Sequence, residues 1–244
     1  MERQIAAGLD ALPVRTLYAC ESGSRAWGFA SPDSDWDVRF VFAHPRDAYL
    51  SIERPTETID EFLPNDLDLA GWDLRKTLGL LRKSNPSLLE WLHSPIVYRA
   101  EPGFLEAMRT LAERAFSPNA GLHHYHSMAG SNLAKSVPTP RAPFKKYLYV
   151  LRPLLAGRWI EATGTIAPVP IDPLLDLVPL AHCAEVDELL RLKKAAGERE
   201  VFAGLPALHA WMVAEHERLG TLRLATPEPL PVADLDAEFR RWIV

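Results

Sequence analysis

Short apolar runs and helical stripes alternate along the first half of the chain. Leu17-Tyr18-Ala19-Cys20 is an unbroken apolar run, the pattern of a buried strand, and it ends at Gly23-Ser24. Arg25-Ala26-Trp27 fits a short helix, broken by Gly28 and by Ser31-Pro32. Over Trp36–Ala43 the alternation predicts a second strand, with Val38, Phe40 and Phe42 on one face and Asp37 and Arg39 on the other. The same two-residue period puts Asp35 with Asp37. Residues 65–70 alternate again, setting Asp66 and Asp68 against Leu67 and Leu69. Leu74, Leu78 and Leu81 then recur at helical spacing behind Asp73, which reads as a helix N-cap.

Asn85-Pro86 breaks that helix, and Ser87-Leu88-Leu89-Glu90 has the form of a capping box for the next one, which carries Trp91 and Leu92. Ile96-Val97-Tyr98 predicts a brief strand, and a helix with Phe104, Met108 and Leu111 follows Pro102-Gly103. Ser117-Pro118-Asn119 marks a junction. Helices are expected beyond it over 123–135, 145–157, 186–196 and 200–218, with stiff proline connectors at 137–140 and 167–170. The proline-rich stretch before Trp242 is expected to pack as an irregular tail. The reading is an α+β protein: a short mixed sheet flanked by helices over residues 1–115, followed by an all-α helical domain over 116–244.

Composition narrows the class without deciding it. With 244 residues, 48 % apolar and 24 % charged, the chain can bury a substantial core and is neither disordered nor fibrous. Cys20 and Cys183 are far apart and form no zinc or redox motif, so a disulfide scaffold is excluded and a reducing, cytoplasmic setting is expected. Glu2, Arg3, Asp10 and Pro13 interrupt any leader-like apolar core, and no run approaches the ~20 apolar residues that span a bilayer. Charge is segregated. Residues 21–73 hold twelve acids against four arginines, whereas residues 114–160 hold no acid and seven basic residues. An acidic half facing a basic half across a nucleotide's phosphates is the expected arrangement; a basic, solvated surface is its competitor.

The candidate chemistry sits at the strand ends. Glycine lets a backbone come close to phosphate oxygens, and N–H groups at such a bend point toward them, so Gly23 and Ser24 are candidates for holding a nucleotide's phosphates. Asp35 and Asp37 repel one another unless a cation lies between them, and Mg²⁺ takes one or two carboxylates plus substrate phosphates. A calcium loop counted from Asp33 fails, because its sixth and twelfth positions hold Val38 and His44. A plain acidic surface strand is the remaining alternative. Arg39 is either a phosphate clamp or an ion-pair partner that holds the acids apart. Lys145, Tyr149 and Arg152 share one helix face beside Leu148, Leu151 and Leu155, a second phosphate-binding candidate with Lys146 in reserve. The cluster His123-His124-Tyr125-His126 lacks a supporting third ligand for zinc.

Gly23-Ser24, the step to Asp35, and Asp37 resemble the signature of the DNA polymerase β nucleotidyltransferase superfamily. Asp68-Leu69-Ala70-Gly71-Trp72-Asp73-Leu74-Arg75-Lys76, Asn85-Pro86-Ser87-Leu88-Leu89-Glu90-Trp91-Leu92 and Lys145-Lys146-Tyr147-Leu148-Tyr149-Val150-Leu151-Arg152-Pro153 are similar to its RNA repair pathway branch, the YcgL/RlaP type, over about residues 15–200. The resemblance implies a polymerase-β-like catalytic domain and a third carboxylate completing a metal triad. Asp66, Asp68 and Asp73 are the candidates; Asp68, closer than Asp66 to the strand end and the Gly71 break, matches the family position, and Asp73 is more simply the helix N-cap.

The expected site is therefore Asp35, Asp37 and Asp68 as catalytic residues and metal ligands, with Gly23, Ser24, Arg39, Lys145, Tyr149 and Arg152 binding the nucleotide. Mg²⁺, with Mn²⁺ as substitute, would serve an NTP, releasing pyrophosphate as NMP joins an acceptor hydroxyl while Asp68 helps remove its proton. The resemblance implies an RNA end, tRNA or another structured RNA, as acceptor. Nucleotidyl transfer to a protein, a non-catalytic nucleotide or RNA sensor, and a metal-independent scaffold are the alternatives. Oligomeric state is not read from the sequence.

Overall fold

A computed structural model describes residues 1–136, 142–195, 201–202 and 205–243. In chain order its elements are α1 (Glu2–Asp10), β1 (Arg15–Glu21), α2 (Gly23–Ala26), β2 (Trp36–Ala43), α3 (Arg46–Tyr49), β3 (Thr58–Leu63), β4 (Leu67–Asp73), α4 (Leu74–Arg82), α5 (Pro86–Leu92), β5 (Val97–Ala100), α6 (Phe104–Ala115), α7 (Pro118–Ser136), β6 (Ala142–Pro143), α8 (Phe144–Thr163), α9 (Cys183–Ala195), β7 (Val201–Phe202), α10 (Pro206–Gly220) and α11 (Val232–Trp242). They form two compact units. The first comprises Met1–Ala26, Asp35–Phe116 and Pro227–Val244; the second comprises Trp27–Ser34 and Ser117–Thr226.

The first unit is built on a mixed sheet of order β3-β4-β2-β1-β5. β2 and β4 run parallel, and the other pairings are antiparallel. Ile5 and Leu9 of α1, at i and i+4, pack on the face made by Val38, Phe40, Phe42, Leu67 and Leu69. Gly71 is required on that face, because a Cβ there would run into the Phe40 ring. At the strand-to-helix step into α4, Asp73 caps the helix as expected, its Oδ1 accepting the Arg75 N–H at 2.8 Å. Its Oδ2 accepts the Tyr49 hydroxyl.

Three expectations for this unit change. The cap of α5 is Asn85, which accepts the Leu88 N–H at 3.1 Å, rather than Ser87, because Pro86 has no N–H to satisfy and its fixed φ suits the first helical position. Asp66 is not in the strand: with φ 54° it lies in the turn, and β4 starts at Leu67. The C-terminal stretch is not an irregular tail. Leu235, Phe239 and Trp242 recur at i, i+4 and i+7, and α11 forms behind Pro231. It packs in the first unit, with Trp242 edge-on to Phe104 at 5.1 Å, Arg114 paired with Asp234, and Arg15 donating to the Trp242 carbonyl at 3.0 Å.

The second unit is mainly helical, with one two-residue ladder between β6 and β7. Pro153 lies inside α8 and has no N–H for the carbonyl four residues back, that of Tyr149. Asn132 of α7 supplies the missing donor, its Nδ2 reaching the Tyr149 oxygen at 3.1 Å. α7 and α10 meet through a reciprocal clasp: the His126 and His216 rings stack at 4.0 Å, and Gly220 and Gly130 leave room for them. The expected connector at 137–140 lies outside the described residues, as does the end of the helix expected over 186–196. The helix expected over 200–218 starts later: Val201–Phe202 pair as β7, and α10 begins at Pro206, a residue suited to the first turn. Among the described residues no helix is long and apolar enough to cross a membrane.

Candidate active site

The parallel pairing of β2 with β4 sets Asp37 directly opposite Asp68. Neighbouring strands are about 4.8 Å apart, so two carboxylates in register must share their surroundings. Arg39, two residues on from Asp37 and on the same face, fills the space between them. Its Nη2 donates to Asp37 Oδ1 at 3.1 Å and to Asp68 Oδ2 at 2.9 Å, while Nη1 reaches the Val38 and Asp68 carbonyls. Arg39 is thus an ion-pair partner of both acids. All three side chains are partly open to solvent.

Gly23 explains how the Asp37 carboxylate fits. Its φ is 60°, in the left-handed region, and a Cβ there would overlap that carboxylate. The Asp37 main chain is held as well: its carbonyl accepts the Ser22 N–H at 2.8 Å, and its N–H donates to Glu21 Oε1 at 3.0 Å. Glu21 is buried, which raises its carboxyl above the usual range despite hydrogen bonds from Tyr98 and the Asp37 backbone. Neither Glu21 nor Tyr98 was singled out in the sequence. A glutamate beside a glycine-serine motif looks like one more surface acid.

The other expected residues are placed as follows. Asp35 is exposed just ahead of β2, and its carbonyl accepts from Arg25 Nε at 3.0 Å. Ser24 is buried in α2. In the second unit, Lys145 lies over the Tyr149 ring at 5.6 Å, and Tyr149 meets Trp27 edge-on at 5.2 Å. Arg152 does not share an open face with them. It is 1 % exposed, covers the Trp27 ring at 4.7 Å and donates to the Val169 carbonyl at 3.0 Å. Arg158, from the acid-free window, pairs with the buried Glu215 at 3.0 Å.

Two carboxylates closing on one guanidinium make a pair built around positive charge, and all-oxygen donors suit a hard divalent ion. Mg²⁺ needs only one or two carboxylates besides substrate phosphates, so Asp37 and Asp68 fit it. Among the described residues no group of three or more His, Cys, Asp or Glu side chains is gathered for a metal. The convergence expected of Asp35 with the other two acids is not seen.

A model of the RNA repair pathway DNA polymerase beta family (RlaP) matches residues 1–241. The chain belongs to this family. The chain is 44 % identical over 233 residues to the uncharacterized protein YcgL of Bacillus subtilis (strain 168), covering 95 % of this chain and 89 % of that protein. Among solved structures it is similar to the spectinomycin adenyltransferase AAD(9) from Enterococcus faecialis, with ATP and spectinomycin, at a TM-score of 0.47 and 12 % identity over 85 % of this chain and 92 % of that one. A nucleotidyltransferase-like protein from Exiguobacterium sibiricum 255-15 is matched at a TM-score of 0.32 and 12 % identity, over 89 % and 72 % of the two chains. Membership of the RNA repair pathway family makes this a nucleotidyltransferase-type protein, and the Asp37–Asp68 pair is its candidate centre.

Proposed function

We propose that the chain transfers NMP from an NTP to the terminal hydroxyl of an RNA, releasing pyrophosphate, with a divalent ion held by Asp37 and Asp68. The observation that carries this reading is the register of those two acids across parallel strands, closed on a single cationic group. The family's description as an RNA repair pathway supports RNA as the acceptor.

Bound there, Mg²⁺ or Mn²⁺ would neutralise triphosphate charge and make the acceptor hydroxyl more acidic. Gly23, without a side chain, lets the bend before Ser24 approach the phosphates. Arg39 balances the charge of the two acids and keeps their oxygens directed inward. Asp68 takes the hydroxyl proton as the acceptor oxygen bonds to the α-phosphorus and the bond to the pyrophosphate oxygen breaks. Asp35 is proposed as a third acid that joins the pair with substrate in place. Within the second unit itself, Lys145 lies beside the Tyr149 ring, and Arg152 fixes Trp27 from inside.

The test incubates the protein with each NTP labelled at the α-phosphate, Mg²⁺ or Mn²⁺, and bulk RNA. Label is expected on RNA, falling at least about 1,000-fold in Asp37→Asn and in Asp68→Asn, a loss typical of removing a group the chemistry depends on. Transfer that survives both substitutions overturns the proposal, and label recovered on protein transfers it to a protein acceptor.

A further inference from the structure

The β1–β2 ladder ends at the pair Glu21–Val38, one residue short of Asp37. Beyond that point one main-chain bond remains, from the Ser22 N–H to the Asp37 carbonyl at 2.8 Å, and the Asp37 N–H is taken by a side chain. Glu21 Oε1 takes the Asp37 N–H at 3.0 Å, and Oε2 takes the Tyr98 hydroxyl. Glu21 is itself anchored, its N–H donating to the Ile96 carbonyl at 2.9 Å and its carbonyl accepting the Ser94 hydroxyl at 2.6 Å. It is 0 % exposed.

Burying a carboxylate is costly unless its oxygens are well bonded, whereas leucine or methionine would fill a similar volume without that cost. Packing therefore does not account for a glutamate here. Its position does. Asp37 is the second residue of β2, laddered to β4 on one side but beyond the last β1 pair on the other, so its N–H on that side needs a partner. Glu21 and Ser22 together grip both polar groups of its backbone, and Gly23 leaves its carboxylate room.

We propose that Glu21, clamped by Tyr98, is a positioning residue: it sets the Asp37 backbone and so the direction of the carboxylate offered to the nucleotide's cation. This rests on the function proposed above. Glu21 touches no reacting atom. Its effect passes through Asp37, and displacing a metal-holding group by about 1 Å costs about 100-fold in rate.

The experiment compares Glu21→Ala, Glu21→Gln and Tyr98→Phe with the natural chain. It measures Mn²⁺ affinity by the paramagnetic resonance signal of free Mn²⁺, kcat and KM for NTP, and thermal unfolding. Glu21→Ala is expected to weaken Mn²⁺ binding about 10- to 100-fold, as loss of groups that orient metal ligands does. It should lower kcat about 100-fold and leave KM within about threefold, since the phosphate-holding backbone is untouched. Glu21→Gln keeps an acceptor for the Asp37 N–H and should restore both to within about tenfold of the natural chain; Tyr98→Phe, which loses only the clamp, should fall between.

A folded Glu21→Ala chain with unchanged Mn²⁺ affinity and kcat overturns the proposal. Should that variant not fold, Tyr98→Phe decides, and unchanged Mn²⁺ affinity and kcat in it overturn the proposal equally. A natural chain that neither binds Mn²⁺ nor transfers nucleotide removes the functional reading itself and this proposal with it. That failure is distinct from one seen only in the variants.

Discussion

Gly23 is the residue at which backbone conformation and chemistry meet most directly. Its φ of 60° disfavours any side chain, and the space a Cβ would occupy belongs to the Asp37 carboxylate. Gly23→Ala is therefore expected to cost more than about 1 kcal/mol, the usual size when alanine is forced to positive φ. It should also turn the Asp37 carboxylate off its line. Urea unfolding would give the first effect and Mn²⁺ affinity the second; a variant matching the natural chain in both would show that the bend tolerates a side chain. Gly23 and Asp37 stood out in the sequence by residue type and spacing, whereas Asp68 was singled out from Asp66 and Asp73 through the family resemblance. Glu21 was not. What makes it special is burial against Tyr98, 77 residues away, and no local window contains that. Arg39 stood out as a residue, but its pairing with both acids follows from the register that brings Asp68 across from Asp37.

At the scale of elements, what could be read followed the periodicity. β1, β2, β4, α4 and α6 announce themselves by apolar spacing, and Asp73 by its position ahead of a stripe. β3 gave no such signal. It is an edge strand whose central Asp60, Glu61 and Phe62 are exposed, so its sequence records solvent rather than a core. The bond from Asn132 to Tyr149 was equally hidden, because the need for it arises from a proline in a different helix. Asn132→Ala should leave the Tyr149 carbonyl without its donor and cost about 1–3 kcal/mol. A unit made more stable by the change, in thermal or urea unfolding, would contradict that account. Replacing Pro153 by alanine in the same variant should recover part of the loss, since the helix then supplies its own N–H.

At the scale of the whole molecule, neither unit is a continuous piece of chain. Eight residues, Trp27–Ser34, leave the first unit between the glycine bend and Asp35, and Pro227–Val244 return to it at the end. Nothing in the sequence signalled these exchanges, because punctuation marks breaks and says nothing about where a segment goes next. Leu230, Leu235 and Trp242 are buried. At about 1.5–3 kcal/mol for each large apolar side chain, deleting Pro227–Val244 should remove several kcal/mol from a fold whose total is typically 5–15. Hydrogen exchange at the β1 amides would show it as lost protection in the first unit, and unchanged protection would mean that the returning helix is dispensable.

This return of the chain also imposes a schedule on synthesis. The strands bearing Asp37 and Asp68 leave the ribosome early, yet α11, which packs on Tyr49 and Phe104 of the same unit, follows after the whole of Ser117–Thr226. At ~5–20 residues per second, the nascent sheet waits roughly 5–20 s for its last helix. Throughout that interval the surface awaiting Trp242 is open to chaperones, and to neighbouring copies on the same message.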